Sequence, residues 1–445
     1  MQAKKLNQKR SEEPADLGSN IPEGDHKSLG FESPSDPILL FCMAREFNNK
    51  AVRIVIVLVV LLIGISFLIE MFTIRFSPQQ EALDFIKLPS GFKIEIFAEG
   101  EGFGGQVIST PGPNNGPRML EFDSEKNTVY VTVPKQSKVF ALEDKNKDSK
   151  LDENGKKIFI DNLNKPHGIA LYQDWVYIAE ENRVIRVKDL NNDNAADMET
   201  LEVLTDLPAG GHFTRTIRII NDSLFISIGS SCNVCIEENK RRGTIEKCDL
   251  DGKNCKTYAR GLRNAVDFNV FEDSRKDFNE FNGKIFATDN GRDGLGNNIP
   301  PEEVNIVEEG KNYGWPICYG NKIHDSEFDK NVYIRDPCED TEASFIDLAP
   351  HVAPLGFNFY LGNKFPNKYK GKMFIAYHGS WDSDVPVGYK IVTVDLKTKE
   401  VADFATGWIE GSIVKGRPVG VMNFRDGLLM SDDNKGLIYR IYYSG

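Results

Sequence analysis

Six short stretches of this chain share one pattern, and that repeat limits the possible folds more than any other feature. The stretches "NTVYVTVPKQSKVFAL", "DWVYIAEENRVIRV", "DSLFISIGS", "GKIFATDNG", "GKMFIAYHGS" and "DGLLMSDDNKGLIYRI" each open on a turn residue, run through alternating or apolar β-formers and end in a polar loop. They recur at roughly 50-residue spacing with one wider gap, the period of a propeller whose blades are four-stranded sheets. A β-sandwich has strands at similar density but no recurring unit of this kind. The sequence therefore predicts an all-β fold, a six-bladed β-propeller over residues 85–445.

The N-terminal part differs. Residues 1–50 are rich in Lys, Glu, Ser, Pro and Asn and hold too little apolar surface to offset the entropy of ordering, so a disordered tail is expected there. Ile54 to Ile69 then form 16 uninterrupted uncharged residues. With its flanks, residues 51–72, the run is long enough to cross a bilayer core of about 30 Å at about 1.5 Å per residue, with Glu70 at the interface. It has no polar face and no small-residue cleavage site after it, which argues against a buried core helix and against a cleaved signal peptide. Arg45, Lys50 and Arg53 precede the span and only Arg75 follows closely. The positive-inside rule then puts the N-terminus in the cytoplasm and the propeller, after a linker at 73–84, on the periplasmic or extracellular side. The expectation is a single-pass, signal-anchored membrane protein.

Cysteine placement agrees with that topology. Cys232, Cys235, Cys248, Cys255, Cys318 and Cys338 follow the span, an even number as suits an oxidising compartment, while Cys42 precedes it. Proximity in sequence favours pairing 232 with 235, 248 with 255 and 318 with 338; a zinc site from Cys232, Cys235 and Cys248 is the alternative. A net charge of −12 without a basic stripe excludes nucleic acid as a partner. Two loops, "DKNKDSKLD" from Asp144 and "DLNNDNAAD" from Asp189, place carboxylate and amide oxygens at alternate positions. Such loops are either Ca²⁺ sites or solvated Asx turns; neither has the glycine and distal glutamate of a full EF-hand.

A propeller gathers the turns at one end of its blades around a central channel, so polar residues from distant blades can converge there. The chain has six histidines, and His212 stands after two glycines and before a strand-like run, "PAGGHFTRTI". It is either a surface loop residue or a base with a pKa near neutrality. Comparable positions carry "GLRN" with Arg263 and Asn264, "TDNGRDGLG" with Gly291 and Arg292, "YHGSW" with His378, and "KGRPVG" with Lys415 and Arg417. Taken singly, each reads as an ion-pair or turn residue. Together they make one base, several cations and a glycine-rich loop with free carbonyls.

These motifs, with "IGSSCNVC", "NYGWPICYG", "HVAPLGFNFY", "PVGYK" and "SDD", resemble in order and in kind the sorbosone and aldose sugar dehydrogenase branch of the soluble sugar dehydrogenases that depend on pyrroloquinoline quinone (PQQ). The resemblance covers the chain from about residue 85 to its end. It implies a six-bladed propeller with PQQ over the channel mouth and His212 as the general base that takes the proton of a sugar hydroxyl. It also implies Arg263 as the cation beside the developing negative charge and Asn264 as a cofactor contact. Main-chain carbonyls of Gly291 and Arg292 would hold Ca²⁺, and Lys415 and Arg417 would pair with PQQ carboxylates. Arg118 in "GPRML" and His167 in "KPHGIAL" also fall at blade starts, within reach of the cofactor or as plain strand-start residues.

Members that act on glucose carry an acidic residue before the base and a lysine where this chain reads "YHGSW". Here Gly211 and His378 stand instead, so glucose is not implied. The implied activity is oxidation of a sugar, a sugar aldehyde or a related alcohol, with a quinone or cytochrome as electron acceptor. A calcium-dependent lactonase or esterase and a non-catalytic binding propeller are the alternatives. The first has no need of the cation set, the second no need of His212.

Overall fold

A computed structural model describes Val59 and residues 83–100, 103, 116–273 and 275–445. The predicted tail, Cys42, the predicted span apart from Val59 and most of the linker lie outside these residues. No helix among the described residues is long and apolar enough to cross a membrane. Residues Phe76–Gly445 form one compact unit.

Alongside two short hairpins, its described residues form six four-stranded antiparallel sheets. Their inner strands are Leu120–Asp123, Gly168–Tyr172, Ile217–Ile220, Ala265–Val270, Pro354–Phe359 and Pro418–Phe424, which start blades one to six in turn. Each inner strand contacts those of the neighbouring blades, and blade six returns to blade one, so the ring closes. The six repeated stretches of the sequence supply the second strand of each blade. Those strands read as apolar runs because both faces are buried between sheets: Thr128–Val133, Met373–Tyr377 and Gly427–Asp432 are buried throughout.

The wider gap in the repeat is an insertion in blade four. After Glu302–Val307 the chain makes a small hairpin, Cys318–Tyr319 with Ile323–His324, before the outer strand Ile346–Leu348. A disulfide between Cys318 and Cys338 ties this excursion together. The other two bridges are Cys232 to Cys235 and Cys248 to Cys255, so all three sequence-local pairs form and Cys248 is not available to a zinc site with Cys232 and Cys235.

Closure of the ring is not visible in the repeat. Phe92–Ala98, from the beginning of the unit, pairs with Leu437–Tyr443 as the fourth strand of blade six. Phe92 sets edge-on against Phe365, Phe404 and Tyr369, with ring centroids 4.7, 4.9 and 5.2 Å apart, which packs this strand against blade five.

Around the channel, hydroxyls on second strands bolt neighbouring blades together at three of the seams. Thr132 Oγ1 donates to the His167 carbonyl at 2.9 Å, Thr288 Oγ1 to Leu355 at 2.7 Å and Ser431 Oγ to Arg118 at 2.5 Å. Inner strands are crowded here, and a Cβ on Gly420 would collide with the Arg118 carbonyl, so glycine is required.

The two acidic loops take Asx-turn form. Asp144 Oδ1 and Oδ2 accept the N–H groups of Asp148 and Ser149, and Asp189 does the same for Asp193 and Asn194. A basic side chain stands against each: Arg425 lies 2.8 Å from Asp144 and Lys126 3.2 Å from Asp189.

Candidate active site

In an antiparallel blade the start of the inner strand lies beside the end of the second strand, as in Ala265 opposite Asp289, Pro354 opposite Tyr377 and Pro418 opposite Asp432. One end of the channel is therefore ringed by two kinds of residue, those just before inner strands and those just after second strands. Arg118, His212, Arg263, Asn264 and Arg417 are of the first kind, Gly291 and His378 of the second. All seven line one cavity of about 730 Å³.

His212 is held by Ser230. Its Nδ1 lies 3.1 Å from the Ser230 carbonyl and 2.9 Å from Ser230 Oγ. The Ser230 hydroxyl proton is already given to the Cys232 carbonyl, 2.7 Å away, so both contacts need Nδ1–H as the donor. The network thus assigns the proton to Nδ1. Nε2 is left as a bare acceptor, with no hydrogen-bond partner among the described residues. Burial, then the neighbouring Arg263, Arg215 and Arg242, push the imidazole down to about 4, against the pull of the Ser230 carbonyl. The ring is neutral at physiological pH. Its seat is tight: a Cβ on Gly229 would stand 2.8 Å from His212 Cβ and 2.7 Å from Asn264 Oδ1.

Arg263 is fixed at four points. Nε donates to the Asn233 carbonyl and Nη2 to Asn233 Oδ1, both at 2.9 Å; Nη1 reaches the Asn290 carbonyl at 3.1 Å and Nη2 the Asp293 carboxylate at 3.2 Å. Asn264 Oδ1 accepts from Thr214 at 3.0 Å. Across the cavity, Asp433 accepts from Arg118 at 2.6 Å and from His378 Nε2 at 3.0 Å. Burial raises the Asp433 carboxyl, but His378, Arg118 and Arg417 outweigh it and hold it below the ordinary carboxylate range. His378 is lowered by burial despite Asp433, so it is a neutral imidazole whose Nδ1 accepts from Arg417 Nη1 at 3.4 Å. The remaining Arg417 contacts are the Ser380 carbonyl at 3.2 Å and the Tyr389 hydroxyl at 3.1 Å. Its guanidinium is buried with neutral partners only, and no carboxylate among the described residues comes within ion-pair distance.

Three of the sequence-predicted residues lie elsewhere. Lys415 pairs with Glu410 at 2.5 Å beside the Phe85 ring and does not line the cavity. His167 is fully buried behind the cavity wall, its ring edge-on to Phe213 at 5.9 Å. The Arg292 side chain clamps Asp325 at 2.5 and 2.9 Å, which anchors the loop after Gly291 from behind.

Other residues in or behind the cavity wall carried no role in the sequence. Asp433 and Asn233 sit inside the quoted "SDD" and "SSCNVC" motifs, a signal that was present but carried no role. Glu302, whose carboxyl is pushed up to about 7 by burial, accepts the Gly291 N–H at 2.6 Å. Asp293, His351 and Asp382 cluster at the cavity wall close enough to share a cation.

Residues 101–408 match the TrAA12-like family model. An uncharacterized protein of Borreliella burgdorferi is 32% identical over 405 residues, which cover 86% of this chain and 96% of that protein. A pyrroloquinoline quinone-dependent pyranose dehydrogenase of Coprinopsis cinerea is 26% identical over 296 residues, 52% of this chain and 39% of that one, so the match spans under half of that relative's length. Among solved structures, the calcium structure of a Trichoderma reesei family AA12 carbohydrate-active enzyme superposes with a TM-score of 0.63 at 21% identity, covering 81% of this chain and 97% of that chain, a likeness of fold.

Proposed function

The chain belongs to the TrAA12-like family, and on that premise we propose that it is a PQQ-dependent sugar dehydrogenase activated by Ca²⁺. The observation that carries this reading is the pairing of an unprotonated His212 Nε2 with a cavity lined by Arg118, Arg263 and Arg417 in a chain of net charge −12. Arg417 makes the match to this cofactor specific. Its guanidinium hydrogen-bonds only neutral groups, and the nearby Asp433 carboxylate is already bonded to Arg118 and His378, so an anionic ligand completes it, and PQQ is a tricarboxylate. A neutral lactone would leave that charge unmatched.

When bound, PQQ supplies the two-electron acceptor for hydride from the substrate carbon, and Ca²⁺ polarises it. The chain's own part follows from its geometry. His212 Nε2 takes the substrate hydroxyl proton, with the imidazolium steadied by Nδ1–H on Ser230. Arg263, immobilised by Asn233 and the 290–293 loop, presents fixed positive charge with no reorganisation at the moment of reaction. Arg417, Arg118 and Asn264 hold the cofactor, with neutral His378 completing the wall, and the Gly291 and Arg292 carbonyls are the proposed Ca²⁺ ligands. Arg118 takes the place that the resemblance gave to Lys415. His167 packs behind this set.

Membrane anchoring through residues 51–72, with the propeller on the periplasmic or extracellular side, belongs to the same proposal and rests on the hydropathy and charge of the sequence. The three disulfides support an oxidising compartment. A titration of the purified chain with PQQ and Ca²⁺, followed by sugars, tests the function. Bleaching of the quinone absorption by a sugar is expected, and absence of PQQ binding contradicts the reading.

A further inference from the structure

The Cys232–Cys235 bridge closes a four-residue loop, and contacts to both the cavity's base and its cation run through it. On one side, the Cys232 carbonyl takes the Ser230 hydroxyl proton at 2.7 Å and thereby turns a lone pair of Ser230 Oγ toward His212 Nδ1. The Ser230 carbonyl, 3.1 Å away, calls for the same Nδ1–H, and the Cys232 carbonyl keeps the Ser230 hydroxyl beside it as a second acceptor. On the other side, Asn233 accepts Arg263 through both its carbonyl and Oδ1. Asn233 also grips the neighbouring loop: the Asp293 N–H donates to Oδ1 at 2.8 Å and Nδ2 donates to the Asp293 carbonyl at 3.0 Å. Ser231 adds a tether through Glu237, 2.5 Å from its N–H and 2.9 Å from its hydroxyl. The loop lies outside regular strands, and the short covalent closure adds to these hydrogen bonds in restricting its conformation.

We propose that the disulfide-closed loop 232–235 is a positioning clamp for the active site, in which the Cys232 carbonyl orients the Ser230 hydroxyl that accepts from His212 Nδ1–H and Asn233 sets the Arg263 guanidinium. Cys232, Cys235 and Asn233 are positioning residues; none is assigned contact with substrate. The role of His212 and Arg263 rests on the proposed function, whereas the clamp itself is a property of the protein without ligands. The Cys248–Cys255 bridge serves as the internal control, because it links the third strand of the same blade to the turn before its fourth strand, away from the cavity.

The test uses the full chain in four forms: wild type, Asn233→Ala, Cys232→Ser with Cys235→Ser, and Cys248→Ser with Cys255→Ser. The first readout is the NMR titration of the His212 ring without cofactor. Arg263, Arg215 and Arg242 face this ring and Ser230 bonds it, so looser packing and a displaced Arg263 both raise the midpoint. A rise of at least about one unit is expected for Asn233→Ala and for the 232/235 variant, with the 248/255 variant unchanged. The second readout is steady-state kinetics with PQQ, Ca²⁺ and a sugar that wild type oxidises. kcat should fall roughly 10- to 100-fold for Asn233→Ala, with KM within about threefold. Equal titration shifts in both crosslink variants, or an unmoved His212 midpoint in Asn233→Ala, would overturn the clamp. If wild type oxidises no sugar, the functional reading falls, and the ligand-free titration still decides the clamp. Should the 232/235 variant not fold, the His212 midpoint in Asn233→Ala, whose disulfide is intact, decides for or against the clamp.

Discussion

Arg118 Nη1 lies 2.6 Å from Asp433 Oδ2, joining residues 315 positions apart at the seam where blade one meets blade six. Both side chains are buried, and His378 shares the same carboxylate. Asp433→Asn removes the buried carboxylate that Arg118 and His378 share, and a loss of about 3–5 kcal/mol is expected from denaturant unfolding. A change under about 1 kcal/mol would mean that Arg118 finds another anion in the fold.

The second closure of the ring is apolar. Phe92, 8% exposed among Phe365, Tyr369, Phe404 and Tyr443, is the anchor of the strand that completes blade six. Phe92→Ala should cost about 3–5 kcal/mol by cavity formation, seen as a lower unfolding midpoint at unchanged denaturant slope. A reduced slope instead would show blade six opening separately from the rest.

How far the sequence reveals these features depends on what each residue type must do. Second strands are legible because burial on both faces forces apolar runs, and the channel-mouth residues are legible because Gly, His and Arg just before a strand are unusual there. Asp432 and Asp433 cannot be told apart in "SDD". Only the fold shows that Asp432 accepts the Arg417, Asn434 and Lys435 N–H groups, while Asp433 reaches Arg118 and His378. Lys415 and Arg417 look alike as cations two positions apart. The hairpin Ile409–Glu410 with Ile413–Val414 hands Lys415 to Glu410 and leaves Arg417 to the cavity. The fourth strand of blade six is likewise invisible to a local repeat, since its partner lies at the other end of the unit.

Arg417 is expected to act on affinity before rate. Arg417→Met removes a charge-assisted contact to a cofactor carboxylate, so PQQ binding should weaken roughly 10- to 100-fold, while the rate of the saturated enzyme falls far less. Fluorescence or absorbance titration with PQQ gives the affinity, and single-turnover kinetics gives the rate. Unchanged affinity with a collapsed rate would reassign Arg417 to the chemical step.

The pH profile follows from the depressed imidazole. His212 must be neutral to accept a proton, and burial with Arg263, Arg215 and Arg242 puts its midpoint at about 4. The base form is therefore complete well below neutrality, and kcat should hold from pH 7 to about 5 and drop as pH falls through about 4. Stability moves the same way: the unfolded chain takes up this proton first, near the ordinary value, so the fold weakens as pH falls from about 6.5 toward 4. A kcat that already halves near pH 6.5 would mean that the ring is solvated as in a surface loop.

The most direct measurement is made on His212→Ala. The rate of quinone reduction by a substrate that wild type oxidises should fall roughly 10²- to 10⁴-fold, the usual contribution of a positioned base, while PQQ and Ca²⁺ affinities stay within a few fold because other residues hold them. A variant that binds both and reduces PQQ at close to the wild-type rate would contradict the assignment and return His212 to an ordinary loop residue.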